Sequence, residues 1–220
     1  MLAVALGVFL VNGVLLLLPS WLGMGFGNYN WAGKLLSIAV LWTAVLTLPA
    51  LAPARAFLHR PSVGWIAPTV ICTAFLAGAT FALNLYFGNT SAWSFETIAY
   101  QATLPGFEEE LVFRAILLGL FAAAMAPKRC RPTRDSAPPP SDRRAELFAA
   151  IISSLLFGLA HGFFLDDAFR PQFDATSFAY TGAIGVGLAW LALHTRSIWP
   201  AIFTHNVVNL VAAAARILNA

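Results

Sequence analysis

Ionisable and amide side chains recur at helical spacing in three places along the second half of this 220-residue chain. Glu110 and Arg114 stand at i and i+4, stacked on one helix face, and Glu109 is rotated about 100° from Glu110. Phe157 and His161 repeat that spacing, as do His205 and Asn209. A carboxylate and an imidazole from different helices can share a water and remove its proton. A second imidazole and a side-chain amide can donate to an oxyanion as a carbonyl becomes tetrahedral. Peptide-bond hydrolysis fits this combination, with Glu109, His161, His205 and Asn209 as candidate catalytic residues. Metal chemistry stays open. Glu109, His161 and His205 are zinc-ligand types, and zinc would also activate water, but the compact HExxH pattern is missing.

The elements that must carry these residues are membrane spans. Hydrophobic residues make up 59% of the chain and charged residues only 10%, against about 25% charged in a soluble domain. That composition excludes both a water-soluble enzyme and a disordered chain. A helix needs about 20 apolar residues to cross the hydrocarbon. Such runs predict seven spans: Met1 to Leu18, Leu35 to Ala54, Trp65 to Phe87, Pro105 to Ala126, Leu147 to Leu165, Ala175 to Thr195 and Ser197 to Ala215. The first lacks the charged start of a signal peptide and is expected to be a retained span. The fold class is therefore an all-α polytopic bundle of about seven transmembrane helices. Residues 1–102 are expected to be auxiliary helices and 103–220 the catalytic core, with a Pro/Arg-rich loop at 126–145. That loop holds five of the thirteen prolines and six of the thirteen Lys and Arg.

Clustered basic residues set topology rather than a nucleic-acid site. Arg55, Arg60, the six loop residues and Arg196 fall on one side, nine in all, and Lys34, Arg170 and Arg216 on the other. The first side is expected to be cytoplasmic, which places the amino terminus inside and the carboxyl terminus outside. Ionisable residues inside spans cost about 2.5 to 3.5 kcal/mol each on insertion scales, so the few present are informative. Glu110 and Arg114 read as a self-neutralising ion pair. Glu108 reads as an interfacial first-turn acid, Thr103 as the cap of its helix, and His194 as interfacial. Asn12 and Asn84 read as helix–helix glue.

Glu109-Glu110-Leu-Val-Phe-Arg114, Phe157-Gly-Leu-Ala-His161 and His205-Asn-Val-Val-Asn209 resemble the EExxxR, FxxxH and HxxxN motifs of the CPBP family. That family, also called the Abi group, contains type II CAAX prenyl endopeptidases and bacteriocin-processing proteases. The likeness runs from about Thr103 to the end of the chain and includes Ser197-Ile-Trp-Pro200. It implies an intramembrane endopeptidase with a helical bundle around a water-accessible cavity, in a bacterial or archaeal cell membrane. Glu109 would activate water with His161 as its partner, while His205 and Asn209 would form the oxyanion site and Glu110, Arg114 and Phe157 would support them; no metal would be needed, with zinc as the alternative. The implied partners are the lipid bilayer and a membrane-associated peptide or protein, not nucleic acid. The charge count puts the site toward the outer face, which points to a translocated substrate rather than a cytosolic prenylated tail. The competing readings are a non-catalytic immunity or assembly protein that keeps the fold, and a proton-coupled carrier.

Overall fold

The computed structural model describes residues 1–126, 142–166, 168 and 170–220. Its helices are α1 (Leu2–Trp21), α2 (Trp31–Thr47), α3 (Ala52–Arg55), α4 (Ile66–Tyr86), α5 (Phe95–Gln101), α6 (Leu104–Glu110), α7 (Leu118–Met125), α8 (Arg143–Gly162), α9 (Ala175–Thr195) and α10 (Trp199–Leu218). Five of these are long and apolar enough to cross a membrane: α1, α4, α8, α9 and α10. A sixth is obtained if α2 and the Pro49–Arg55 segment count together. The remaining expected span, from α6 to α7, is helical throughout but joined by a π-helical stretch over Leu111–Leu117. It carries Glu108, Glu109, Glu110 and Arg114, and every residue from Leu111 to Phe121 is buried. This run is the axis of the bundle. Leu41, Val45, Leu51 and Ala54 pack into the same core as Leu117, Leu120, Ala149 and Ile202. Residues 1–102 and 103–220 therefore share one apolar interior.

Several element boundaries differ from the sequence expectation. The Leu35 to Ala54 span bends by 96° beyond Thr47, where Pro49 cannot continue the hydrogen-bond ladder. Arg55 satisfies carbonyls orphaned by that break, donating from Nε to Val45 O at 2.7 Å and from Nη2 to Leu48 O at 3.0 Å. The expected loop at 126–145 ends earlier, because Asp142 accepts from the Arg144 and Ala145 amides and starts α8 at Arg143. Residues 127–141 of that loop, with Cys130, lie outside the described residues, as does Asp167. The span expected to reach Leu165 stops at Gly162. Phe163–Leu165 is instead a strand, β1, paired antiparallel with β2 (Pro171–Phe173), and this hairpin is the chain's one small departure from all-α structure among the described residues.

Helices α8 and α9 approach closely through small residues, the usual means of packing where lipid is as apolar as the side chains. A Cβ on Gly158 would sit 2.7 Å from Phe178 O, so that contact requires glycine. Leu2, Leu6, Leu10, Val70, Ile71, Phe75, Phe148, Leu155 and Phe203 are exposed on the outer faces of these helices. Side chains of this kind facing outward in every direction fit hydrocarbon and not water.

Candidate active site

The first turn of α6 sets the geometry. Thr103 does not cap it; its hydroxyl donates back to Ala99 O at 2.6 Å. Asn206 of α10 supplies the missing acceptor, taking the Gly106 amide on Oδ1 at 3.0 Å. A Cβ at Gly106 would collide with that Asn206 oxygen, so glycine lets α6 and α10 touch here. This contact fixes the register between Glu109 and Glu110 on one helix and His205 on the other.

Three successive carboxylates then point three ways. Glu108 is fully buried, 1% exposed, and accepts from Lys34 Nζ at 2.8 Å and from Ser37 Oγ at 3.1 Å. The interfacial placement expected of it is thus corrected. Ser37 and Lys34 of α2 close over Glu108, and the lysine supplies its counter-charge. Ser37 also reaches Asn12 Oδ1 at 2.6 Å, which ties α1 to α2 as the glue expected of Asn12. Glu110 accepts from His205 Nδ1 at 2.8 Å and pairs with Arg114 Nε at 3.3 Å, and both partners of that ion pair are fully buried. Arg114 also donates from Nη2 to Gly185 O at 3.2 Å, and its guanidinium carbon lies 4.3 Å from the Phe157 ring centroid. Phe157 touches both imidazoles, at ring separations of 4.6 Å from His161 and 5.8 Å from His205.

Glu109 stands at the centre. Its Oε1 accepts from Lys34 Nζ at 2.7 Å, and its Oε2 lies 3.5 Å from His161 Nε2 and 3.6 Å from His205 Nε2. The second nitrogen of each ring is committed elsewhere. His161 Nδ1 is 2.8 Å from Phe157 O, and His205 Nδ1 is 2.8 Å from Glu110 Oε1. The Phe157 carbonyl can only accept, so His161 Nδ1 carries a proton, and the Nε2 of each ring faces Glu109. Of these side chains His161 is the most open, 35% exposed against 13% for Glu109 and 5% for His205. Access is therefore from the end of α8, beside the hairpin. Together Glu108, Glu109 and Glu110 carry three formal negative charges, against one each on Lys34 and Arg114. One further proton on an imidazole or a carboxyl makes the buried cluster neutral.

The structure brings Glu109, Glu110, Arg114, Phe157, His161 and His205 into contact. Asn209 lies one turn further along α10 and borders a separate polar cavity of about 110 Å³. His194 is exposed and stacks on Trp190, with ring centroids 5.1 Å apart. Lys34, Ser37 and Asn206 are the participants that motif spacing did not reveal. As a metal centre the arrangement fits poorly. Among the described residues no three His, Cys, Asp or Glu side chains are disposed to hold an ion. Lys34 already brings a positive charge to the Glu109 carboxylate that a divalent cation would share.

An all-α polytopic membrane protein with a buried carboxylate–imidazole cluster is thereby defined. Residues 91–211, more than half of the chain, match the family model for type II CAAX prenyl endopeptidase Rce1-like proteins. The chain belongs to that family of membrane endopeptidases, and the match contains all three polar motifs of the site. No curated protein and no solved structure matches the chain.

Proposed function

We propose that the protein is an intramembrane endopeptidase that uses Glu109 and His161 to activate water. The observation that carries this reading is the meeting of Glu109 Oε2 with two imidazole Nε2 atoms at 3.5 and 3.6 Å, while Lys34 holds the other oxygen at 2.7 Å. Separations of that size suit one water bridging the three groups. The water oxygen attacks the scissile carbonyl carbon, and its proton passes to the Glu109–His161 pair. His205, held on Nδ1 by Glu110, turns its Nε2 toward the developing oxyanion and serves as its hydrogen-bond donor. Collapse of the tetrahedral species breaks the C–N bond as the Glu109–His161 pair returns the proton to the leaving amine. The products are a carboxylate and an amine.

Glu110 and Arg114 position His205 and do not touch substrate. Asn209 contacts the substrate chain one turn beyond the oxyanion.

The substrate is a membrane-associated peptide or protein. On α8 Arg143 and Arg144 stand at the start and His161 at the end, and on α10 His205 lies nine residues from Arg196 and eleven from Arg216, so the positive-inside rule supports access to a mid-bundle site from the outer membrane face. Cleavage of a membrane-anchored reporter in proteoliposomes by the intact chain, and its loss in Glu109→Gln, tests the proposal.

A further inference from the structure

His205, Asn209, Ala212, Ala213 and Arg216 follow one another at i, i+4, i+7, i+8 and i+11 and so form a single stripe on α10. The stripe begins in the catalytic cluster and ends in the polar cavity of about 110 Å³, which Asn209, Ala212, Ala213 and Arg216 line from one side and Tyr29, Ser91, Thr97 and Gln101 from the other.

Arg216 is held in place by a neutral partner. Its Nε donates to Asn84 Oδ1 at 2.9 Å, and Asn84 is itself buried and donates to Thr80 O at 2.9 Å. The Ser91 amide donates to Arg216 O at 3.1 Å, which fixes the backbone beside the cavity. Among the described residues no carboxylate pairs with Arg216. Glu96 is bound by Asn28 and Trp31, Glu146 by Arg196, and Glu108, Glu109 and Glu110 by Lys34, the histidines and Arg114. A guanidinium aligned by an amide, on a residue that lines a polar cavity, is a fork for a planar carboxylate. The volume holds about three or four waters at ~30 Å³ each, which suits a carboxylate with adjoining backbone better than a phosphodiester headgroup.

We propose that Arg216, with Gln101, binds a carboxylate on the substrate chain some distance from the cleaved bond. From His205 to Arg216 the helix rises about 16 Å, a span an extended peptide covers in about five residues. The carboxylate is either the substrate's chain terminus or an acidic side chain at that remove. The inference rests on the protease reading for its choice of ligand, and Arg216 lies beyond the 91–211 segment that matches the family.

The test uses full-length protein in phosphatidylcholine proteoliposomes and a nested set of membrane-anchored peptides. Each peptide is made as a C-terminal acid and as a C-terminal amide, and a second pair carries internal Asp or Asn about five residues from the cleaved bond. The intact enzyme is expected to favour one carboxylate arm over its neutral twin by about tenfold or more in kcat/KM, as a charge-assisted contact provides. Which arm responds identifies the source. Arg216→Gln should bring that ratio to about one, and Arg216→Lys should keep part of it. Binding of the same peptides to the Glu109→Gln protein is read by fluorescence anisotropy, independently of turnover. Discrimination in binding with no cleavage by the intact protein would sink the protease reading and leave the carboxylate site standing. Equal binding of acid and neutral peptides, or a binding preference that survives Arg216→Gln, overturns the site. So does a ratio that responds only to added anionic lipid.

Discussion

Lys34 reaches from α2 to donate to Glu109 Oε1 at 2.7 Å, and it also holds Glu108 at 2.8 Å. One ammonium thus bridges a fully buried carboxylate to the carboxylate at the centre of the site. Removing it leaves two acids facing each other at low dielectric. Lys34→Met should destabilise the protein by about 3–5 kcal/mol, the usual cost of stranding one member of a buried pair. Thermal melting in detergent would show it, with cleavage lost in parallel, and Lys34→Arg should recover part of both. An unchanged melting temperature in Lys34→Met would show that the bridge is not structural.

Glu110 and Arg114 should be strongly non-additive. Arg114→Leu alone strands the Glu110 carboxylate, and Glu110→Leu alone strands the guanidinium, so each is expected to lower stability by several kcal/mol. The double substitution replaces a buried pair with apolar bulk and should recover much of that loss. Activity should stay low in the double variant, because His205 Nδ1 loses the acceptor that orients it at 2.8 Å. Recovery of stability with full activity would show that His205 needs no positioning from Glu110.

Metal removal separates the proposed chemistry from its zinc alternative. Treatment with a strong chelator, followed by dialysis, should leave cleavage unchanged. Loss of activity that returns with added zinc would instead make Glu109, His161 and His205 ligands.

Acid sensitivity has a source outside the spans as well. Glu96 of α5 accepts from the Asn28 amide at 2.7 Å, from Asn28 Nδ2 at 2.7 Å and from Trp31 Nε1 at 3.0 Å, joining the α1–α2 loop to α5. Partial desolvation pushes the Glu96 carboxyl up, but these hydrogen bonds together outweigh it and hold the group below its ordinary value. A depressed carboxyl stabilises the fold above its unfolded pKa of about 4.3 and loses that contribution as the pH falls through the lower folded value. The native protein should therefore melt above Glu96→Gln at neutral pH, and the gap should close on acidification from about pH 5 to pH 3. A gap that widens on acidification would contradict the sign.

The parts of the site that the sequence made legible are those with a local signature. Glu110 with Arg114, Phe157 with His161, and the position of His205 all follow from i, i+4 spacing inside apolar runs, where a charged or imidazole group stands out. Lys34 was not legible because a single lysine at the head of an apolar run has the same appearance as a topology signal. Its partners lie 74 and 75 residues away. Glu108 was hidden for the complementary reason, since an acid in a first helical turn is ordinarily solvated. With Lys34 drawn into the site, the expected count of three basic residues on the outer side becomes two, Arg170 and Arg216, which sharpens the charge asymmetry. The hairpin was missed because Phe163 to Leu165 continues an apolar run, and periodicity alone does not separate a short strand from a helix end. Asn206 stands between two motif residues and acts through the backbone of Gly106, a contact that no side-chain pattern encodes.

Quantitative cleavage of a membrane-anchored reporter in proteoliposomes, with product ends read by mass spectrometry, bears most directly on the role of Glu109. The comparison is between the intact chain and Glu109→Gln, a substitution that keeps the shape of the side chain and removes its charge, at matched amounts of folded protein. Loss of cleavage by about 10²-fold or more, with His161→Ala behaving alike, is the predicted result. Cleavage at the same bond and a similar rate in Glu109→Gln would contradict the account.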